Sequence, residues 1–322
     1  MNIKQIVTVL LAALTIALSG VFVEAQIVSD VTLGLKRPAK VILTEQGNLI
    51  VAEEGTGIHD GRISIIDPQT GLRRRLLDGL PSVVGRYGIP QGPSGLVMRG
   101  RTLYFTIGEG NPTVACPLPC TEIPNPTGAS SPIFSSVLAV LFSASTEMTT
   151  GGFTITPADD LTLKNGEELE FNNGKGDKAK LRLVADFPDV SPDPIPGAPE
   201  NVAASNPFGI ELIDNHVYVV DGGNNKVWKA DINKGEIESL VTFPTIILPT
   251  SRIEAVPTSI RVYGEQLLVT LLRGGTDNPL GVGLGEVRLV NPLTGSDAPF
   301  ITGLTSTIDV LPVQTDEETE YF

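Results

Sequence analysis

Three carboxylates and one amide stand at comparable places in this chain and could do chemistry together. Glu53, Glu109 and Asp221 each follow a short apolar run, whereas Asn206 precedes one. If these runs are strands of a repeated unit, the four side chains lie at the same end of their units and can converge. Carboxylate and amide oxygens are the ligands that Ca²⁺ and similar divalent cations prefer. One hypothesis is therefore a divalent cation site made by these four residues.

A structural role explains two of these residues without a cation. Asn206 can cap the turn before Pro207, and Asp221 can anchor the Gly-Gly-Asn-Asn loop at 222–225. Asn and Asp side chains commonly accept hydrogen bonds from backbone N–H groups two or three residues ahead in such loops. Both interpretations remain open from the sequence.

Nucleophilic catalysis is not indicated. The chain has two histidines, His59 and His216, and neither lies in a serine or cysteine motif. Phosphate-binding loops, HExxH motifs and EF-hand loops are also missing from the sequence. His216 begins a predicted strand, where a packed or edge role is simpler than that of a base. We therefore assign no catalytic residue.

Residues 206–243 contain the clearest copy of the unit that would position the candidate ligands. Four short runs are separated by turn sequences at 214–215, 222–225 and 233–235. Short alternating runs joined by tight turns predict a four-stranded antiparallel sheet. Such a sheet cannot bury both faces alone, so copies must stack, and a β-propeller is the closed form. The predicted fold class is all-β.

Prolines mark the starts of four such units, at Pro38, Pro93, Pro207 and Pro257. The second and third starts lie about twice as far apart as the others, and the extra sequence is rich in Pro, Gly and Thr at first. We predict a long insertion at about 108–180, with a strand at 133–142 and a polar, hairpin-like segment at 153–176. Insertions in propellers fall on one face and often shape a binding site.

Residues 1–25 resemble a signal peptide. Lys4 precedes a long apolar run, and Val23-Glu24-Ala25 forms a cleavage site before Gln26. We expect a secreted or periplasmic protein whose mature part, residues 26–322, is one propeller domain. An uncleaved membrane anchor is the alternative. The formal net charge is −14, which disfavours nucleic acid and anionic membrane surfaces as partners.

Six segments, in this order along the chain, resemble the ScyD/ScyE family of exported NHL-like propellers: residues 93–96 (PSGL), 103–108 (LYFTIG), 205–209 (SNPFG), 219–224 (VVDGGN), 255–258 (AVPT) and 308–309 (ID). The resemblance covers almost all of the mature chain. It implies a six-bladed propeller and indicates little about activity.

The chain has fewer units than that family fold requires. We predict that residues 26–35 form an outer strand of a blade, and that residues 307–322 supply an inner strand and the start of the next. The third strand of that blade has no sequence left to form it. We therefore expect an incomplete propeller, or one that closes with fewer blades.

Cys116 and Cys120 are the two cysteines of the chain and lie in the sequence Cys-Pro-Leu-Pro-Cys. In an exported protein this spacing favours a disulfide bond. The alternative is a pair of free thiols, because two prolines in so small a ring can hold the Cα atoms too far apart.

These observations favour an exported, acidic propeller that works as a binding or scaffolding protein. Its partner would be a small molecule or a protein, and the complete protein would be a monomer. The alternative function is a divalent-metal-dependent hydrolase or lactonase of the gluconolactonase type. In such propellers a divalent cation, for example Ca²⁺, is held in the central channel by carboxylate and amide oxygens.

Overall fold

The structure is a computed structural model that describes residues 30–248, 252–274, 281–314 and 319–322. In this part of the chain, four antiparallel sheets are arranged as the blades of a β-propeller. The predicted all-β propeller class is therefore confirmed, although the resemblance implied six blades. The predicted signal peptide lies outside the described residues.

Blade 1 has four strands in sequence order, joined to blade 2 by a short hairpin. The blade strands are β1 (Pro38–Leu43), β2 (Leu49–Glu53), β3 (Gly61–Ile66) and β4 (Arg73–Leu80), and the hairpin strands are β5 (Val83–Val84) and β6 (Pro90–Gln91). Residues 30–36 form no strand and run beside this blade, where Arg73 Nη1 donates a hydrogen bond to the Gly34 carbonyl at 2.8 Å. The expectation of a strand there is wrong over the described residues.

Blade 2 contains the long insertion. Its elements are β7 (Pro93–Arg99), β8 (Thr102–Ile107), the hairpin β9 (Thr113–Ala115) and β10 (Glu122–Pro124), then β11 (Ser136–Phe142), α1 (Ala144–Thr149), β12 (Phe153–Thr154), α2 (Pro157–Lys164), β13 (Leu169–Asn172) and β14 (Lys178–Asp186). The sheet order is β7-β8-β11-β14-β13.

The sequence predicted a hairpin-like segment at 153–176, but the structure shows that this prediction is wrong. Strand β12 leaves blade 2 and pairs in parallel with β4 of blade 1, where Phe153 lies opposite Leu77. Helix α2 then begins with a capping box, in which Thr156 accepts a hydrogen bond from the Asp159 N–H and Asp159 accepts one from the Thr156 N–H. The insertion therefore connects two blades.

Blades 3 and 4 each have four strands in sequence order. Their elements, with the connecting hairpins, are β15 (Val190–Pro192), β16 (Val202–Ala204), β17 (Pro207–Ile213), β18 (His216–Asp221), β19 (Lys226–Asp231), β20 (Ile237–Thr242), β21 (Ile246–Ile247), β22 (Arg252–Ile253), β23 (Pro257–Tyr263), β24 (Gln266–Leu271), β25 (Gly285–Val290), β26 (Asp297–Leu304), β27 (Pro312–Gln314) and β28 (Thr319–Tyr321).

The hydrophobic core is divided into clusters between the faces of neighbouring blades. Blades 1 and 2 share one cluster, which includes Ile63 and Phe105, and blades 2 and 3 share a second around Val137 and Trp228. Blades 3 and 4 share a third. Blades 2 and 3 therefore bury both faces against neighbouring blades, which agrees with the expectation that an isolated four-stranded sheet cannot bury both of its faces.

Each blade begins with a proline that lies opposite the end of the second strand. The facing residues are Glu53 in blade 1, Ile107 in blade 2, Asp221 in blade 3 and Leu271 in blade 4. Blades 1 and 3 thus place a carboxylate at this position, and blades 2 and 4 place an apolar side chain there.

Blades 2 and 4 share a pair of hydroxyl groups instead. Ser94 and Thr106 in blade 2, and Thr258 and Thr270 in blade 4, hydrogen-bond each other with oxygens 2.9 Å apart. The first hydroxyl of each pair also donates to a backbone carbonyl at the start of the next inner segment, that of Pro207 or Thr307, at 3.2 Å. We refer to these as the hydroxyl pairs.

Candidate functional site

Asp221 is fully buried and accepts hydrogen bonds on both of its carboxylate oxygens. Oδ1 accepts from the backbone N–H groups of Asn206 (2.8 Å), Gly223 (3.1 Å) and Asn224 (3.0 Å). Oδ2 accepts from Ser205 Oγ (2.6 Å), Asn224 Nδ2 (2.9 Å) and Trp228 Nε1 (2.9 Å). The carboxylate therefore anchors the loop after β18 and joins it to the start of β17 and to β19.

Glu53 has the same role in blade 1. Its Oε2 accepts a hydrogen bond from the Lys36 backbone N–H at 2.6 Å, and its Oε1 accepts one from Ser64 Oγ on the next strand. The Arg73 guanidinium lies 3.8 Å from Oε2. The residue has no exposed surface. In both blades a buried carboxylate thus connects the residues that lead into the first strand with the third strand.

The structure brings together only part of the predicted cation site. Asn206 and Asp221 are in contact through the Asn206 N–H, and Asn206 and Glu109 line the same cavity. Glu53 lies in blade 1 and does not line that cavity. Glu109 lies two residues beyond the end of β8, so its place in the blade differs from those of Glu53 and Asp221. Among the described residues, no group of three or more His, Cys, Asp or Glu side chains is arranged to hold a metal ion.

The cavity has a volume of 570 Å³ and lies on the face where the first strands of the blades begin. In an antiparallel blade, the second strand ends and the third begins on this same face, and so do the connectors between blades. Its walls accordingly come from the hairpin strands β10, β15, β16 and β22, from the 222–225 loop, and from the segments that flank β21. Few of its lining residues belong to the central part of a blade.

One ion-pair network forms the wall between blades 3 and 4. The Arg252 guanidinium lies 3.2 Å from an Asp193 oxygen and 2.5 Å from Glu254 Oε1. Glu254 Oε2 also accepts hydrogen bonds from Asn225 Nδ2 (2.5 Å) and Thr245 Oγ1 (2.6 Å). Burial alone would lower the pKa of Arg252, but the two carboxylates outweigh it and raise that pKa. The network fixes three connectors relative to one another.

A second part of the wall is held by Asn201, which is buried. Its Oδ1 accepts hydrogen bonds from the N–H groups of Thr121 (2.8 Å) and Glu122 (3.1 Å), and its Nδ2 donates to the Asp193 carbonyl at 2.9 Å. Asn201 therefore links hairpin β9–β10 to hairpin β15–β16. The wall has the same character as the first, since side chains from different connectors hold it together.

Directly before this wall lies the predicted disulfide, which is confirmed. Cys116 and Cys120 are bonded, with their Cα atoms 5.6 Å apart, so the two prolines between them do not prevent ring closure. Pro119 lies close to Gly197 in the connector between β15 and β16. The five-residue ring thus supports the segment that leads into Thr121 and Glu122.

Sequence reasoning missed most of the cavity. Asp193, Asn201, Arg252 and Glu254 lie in connectors that have no periodic pattern, and nothing near them in sequence indicates that they meet. One usable signal was the run of prolines at 188–196, because a Pro-rich connector between two predicted blades must cross the face of the propeller.

The two histidines lie apart from the cavity. His216 begins β18, as predicted, and its ring lies 6.5 Å from that of Tyr218. His59 lies in the turn between β2 and β3 with a positive φ of 58°, and its Nε2 is 3.6 Å from Asp160 Oδ2. Neither histidine lines the cavity.

Comparison with known proteins gave only distant likenesses. No family model matches the chain, and no curated protein matches it. Among solved structures, a protein assigned as a 6-phosphogluconolactonase from Bacteroides uniformis is similar at 15% identity and a TM-score of 0.38, over 85% of this chain and 74% of the other. The PQQ-bound aldose sugar dehydrogenase of Streptomyces coelicolor is similar at 13% identity and a TM-score of 0.33, over 88% and 87% of the two chains.

Proposed function

We propose that this protein is an exported β-propeller binding module, and that it holds its ligand or partner in the 570 Å³ cavity. The observation that carries the proposal is the construction of the cavity walls. Connectors from separate blades are fixed there by Arg252 with its two carboxylates and by Asn201. A cavity fixed in this way loses little conformational entropy when it is occupied, which favours binding.

The roles of Asp221 and Glu53, the features typical of an exported protein and the order of the sequence segments also support this proposal. Asp221 and Glu53, the most deeply buried of the candidate ligands, use their oxygens to hold the blades together. The chain's first 25 residues resemble a signal peptide, and its two cysteines form a disulfide, which is typical of proteins in oxidising compartments. No helix in the described ranges is long and apolar enough to cross a bilayer. The order of the six sequence segments further supports membership of the ScyD/ScyE family.

The second candidate is the metal-dependent hydrolase or lactonase. The observation that favours it is that Glu109 and Asn206 line the same cavity and supply a carboxylate and an amide oxygen there. Such an enzyme would hold its cation with these two residues and with groups of the substrate or solvent. The two candidates use the same cavity and differ in whether a cation is needed.

Thermal-shift measurements on the mature protein test the binding function. The probes are CaCl₂, MgCl₂ and MnCl₂, a set of mono- and disaccharides, and a peptide library. A ligand at one hundred times its Kd stabilises the native state by about 2.7 kcal/mol, which raises the Tm by about 4 °C for a chain of this size. The cavity-filling variant Ala203→Trp should abolish the shift, because Ala203 lines the cavity.

Ala158→Trp is the matched control, since Ala158 is exposed on α2 outside the cavity. This control should retain the shift. A shift that survives Ala203→Trp would place binding elsewhere and contradict the proposal. A shift with Ca²⁺ that is lost in both Glu109→Gln and Asn206→Ala would favour the metal-dependent enzyme.

A further inference from the structure

The insertion of blade 2 fastens blades 1 and 2 together along their outer edges. Residues 143–164, which contain α1, β12 and α2, leave blade 2 after β11 and return to it at β13. Between these points β12 pairs with β4 of blade 1, and the Ile155 N–H donates to the Asp78 carbonyl at 2.8 Å. We call residues 143–164 the strap.

Glu147 anchors one end of the strap. It has no exposed surface, and its Oε1 accepts hydrogen bonds from Thr44 Oγ1 (2.6 Å) and Asn48 Nδ2 (3.0 Å) in the turn between β1 and β2. Its Oε2 accepts one from Arg101 Nη1 of blade 2 at 2.6 Å. Burial opposes ionisation, but these partners outweigh it and lower the pKa of Glu147. This anchor is therefore a stable anion.

Asp160 anchors the other end of the strap, near the turn between β2 and β3. It is fully buried, on the same face of α2 as Leu163, which belongs to the core between blades 1 and 2. Its Oδ2 accepts a hydrogen bond from Ser131 Oγ at 2.7 Å, and His59 Nε2 lies 3.6 Å from the same oxygen. Among the described residues, Asp160 Oδ1 and His59 Nε2 have no hydrogen-bond partner.

The charged groups around Asp160 do not compensate an anion there. On its own helix, Asp159 raises the pKa of Asp160, and in blade 1 burial lowers the pKa of His59. Asp60, beside His59, is paired with Lys36, and Lys164 at the end of α2 is paired with Asp186. A buried carboxylate that loses its proton without a cationic partner is strongly destabilised.

We propose that the α2 end of the strap is a pH-dependent latch, closed while Asp160 holds its proton and opened when Asp160 ionises, with the Glu147 end fixed throughout. Opening would move α2 away from Ser131 and His59 and bring the Asp160 carboxylate into water. It would also uncover the core around Leu163, so the surface that this protein offers between blades 1 and 2 changes with pH.

The sign and size of the effect follow from the burial of Asp160. Burial raises the pKa of this carboxyl from 3.8 to about 7. The pKa of Asp160 is higher in the closed state than in the open state. The closed state therefore loses stability as the pH rises from about 4 towards 7, and its stability stays constant at higher pH. With these two values the opening equilibrium increases about tenfold between pH 6 and pH 8.

Hydrogen exchange measured by mass spectrometry on the mature protein tests the latch at pH 6 and pH 8, after correction for the intrinsic exchange rate. In the wild type we expect α2 peptides to open about tenfold more at pH 8, while α1 and β24 peptides change by less than twofold. Asp160→Asn keeps the shape of the side chain, and its amide oxygen can still accept the hydrogen bond from Ser131 Oγ. This variant should remove the pH response of α2.

Glu167→Gln is the matched control, since Glu167 is exposed just beyond α2, and it should keep the response. Ser131→Ala supplies a second variant: it removes the hydroxyl that supports the anion, so opening at pH 8 should exceed that of the wild type. An equal pH response in Asp160→Asn and wild type, or opening of α1 together with α2, would overturn the proposal.

Discussion

Replacing Asp221 with Asn separates a structural role of this residue from a role as a metal ligand. Each oxygen of the buried carboxylate accepts three hydrogen bonds. An Asn side chain has the same shape, but its NH₂ group must face three donors whichever way the amide turns. At least three hydrogen bonds to a charged acceptor are therefore lost in a site without access to water.

Each such bond contributes about 1.5–3 kcal/mol, so three would contribute roughly 5 kcal/mol or more. Side chains at the site can turn towards other acceptors and recover part of this. We expect Asp221→Asn to lower the free energy of unfolding by about 3–5 kcal/mol. That is a large fraction of the total stability of a typical domain.

Urea unfolding of the mature protein measures this change, and the chain contains its own probe. Trp228 is the one tryptophan, and its Nε1 donates to Asp221. Its fluorescence should therefore report the native state of the variant as well as the transition. Asp231→Asn is the matched control, because Asp231 accepts two backbone hydrogen bonds in an exposed turn of the same blade. This control should lower the free energy of unfolding far less than Asp221→Asn does, because solvent can replace the hydrogen bonds in an exposed turn.

A structural role for Asp221 is refuted if the free energy of unfolding of Asp221→Asn lies within about 1 kcal/mol of the wild-type value and Trp228 emission is unchanged. A stability that depends on a divalent cation would also refute the structural role. If chelation with EDTA lowers the stability of the wild type to that of Asp221→Asn, and added Ca²⁺ restores only the wild type, the carboxylate acts as a ligand.

Three further predictions concern other parts of the fold. The double variant Cys116→Ser, Cys120→Ser should lower the free energy of unfolding by about 2 kcal/mol, as expected for so small a ring. In calorimetry, a reductant should lower the Tm of the wild type but not that of the variant. Equal changes in Tm would contradict this prediction. Glu147→Gln should weaken the dependence of the free energy of unfolding on pH below about pH 4.5. The lowered pKa of Glu147 contributes stability that is complete above about pH 4.5 and is lost as the pH falls. An unchanged midpoint of acid unfolding would argue against Glu147 as an anchor. Asp309→Ala leaves Lys40 largely buried without its ion-pair partner and should cost about 1–3 kcal/mol in urea unfolding; a neutral result would mean that the contact adds nothing.

The blades could be predicted from the sequence because their signals are local. The first strands of the four blades begin at Pro38, Pro93, Pro207 and Pro257, as predicted, since short apolar runs and tight turns define the units without reference to the rest of the chain. The turn between β17 and β18 was equally clear, with Asp214 taking a positive φ of 49° in a two-residue loop.

The internal structure of the insertion and the cavity could not be predicted, because the contacts that form them are not local. Thr156 and Asp159 offered a capping signal for α2 that was available in the sequence, but the pairing of β12 with β4 joins segments far apart along the chain. The sequence presents Asp160 as an ordinary carboxylate on a short polar helix, and its burial depends on residues distant in sequence, among them Ser131 and His59. Likewise, Arg252 meets Asp193 only because the ring brings two connectors together.

The alternation between the blades sets the unit by which such a ring can grow. Blades 1 and 3 tie their entry with a carboxylate, whereas blades 2 and 4 use a hydroxyl pair that reaches the next inner segment. A single blade inserted between two of these blades would place two blades of the same kind side by side. Two adjacent blades are therefore the smallest unit that contains both kinds of contact.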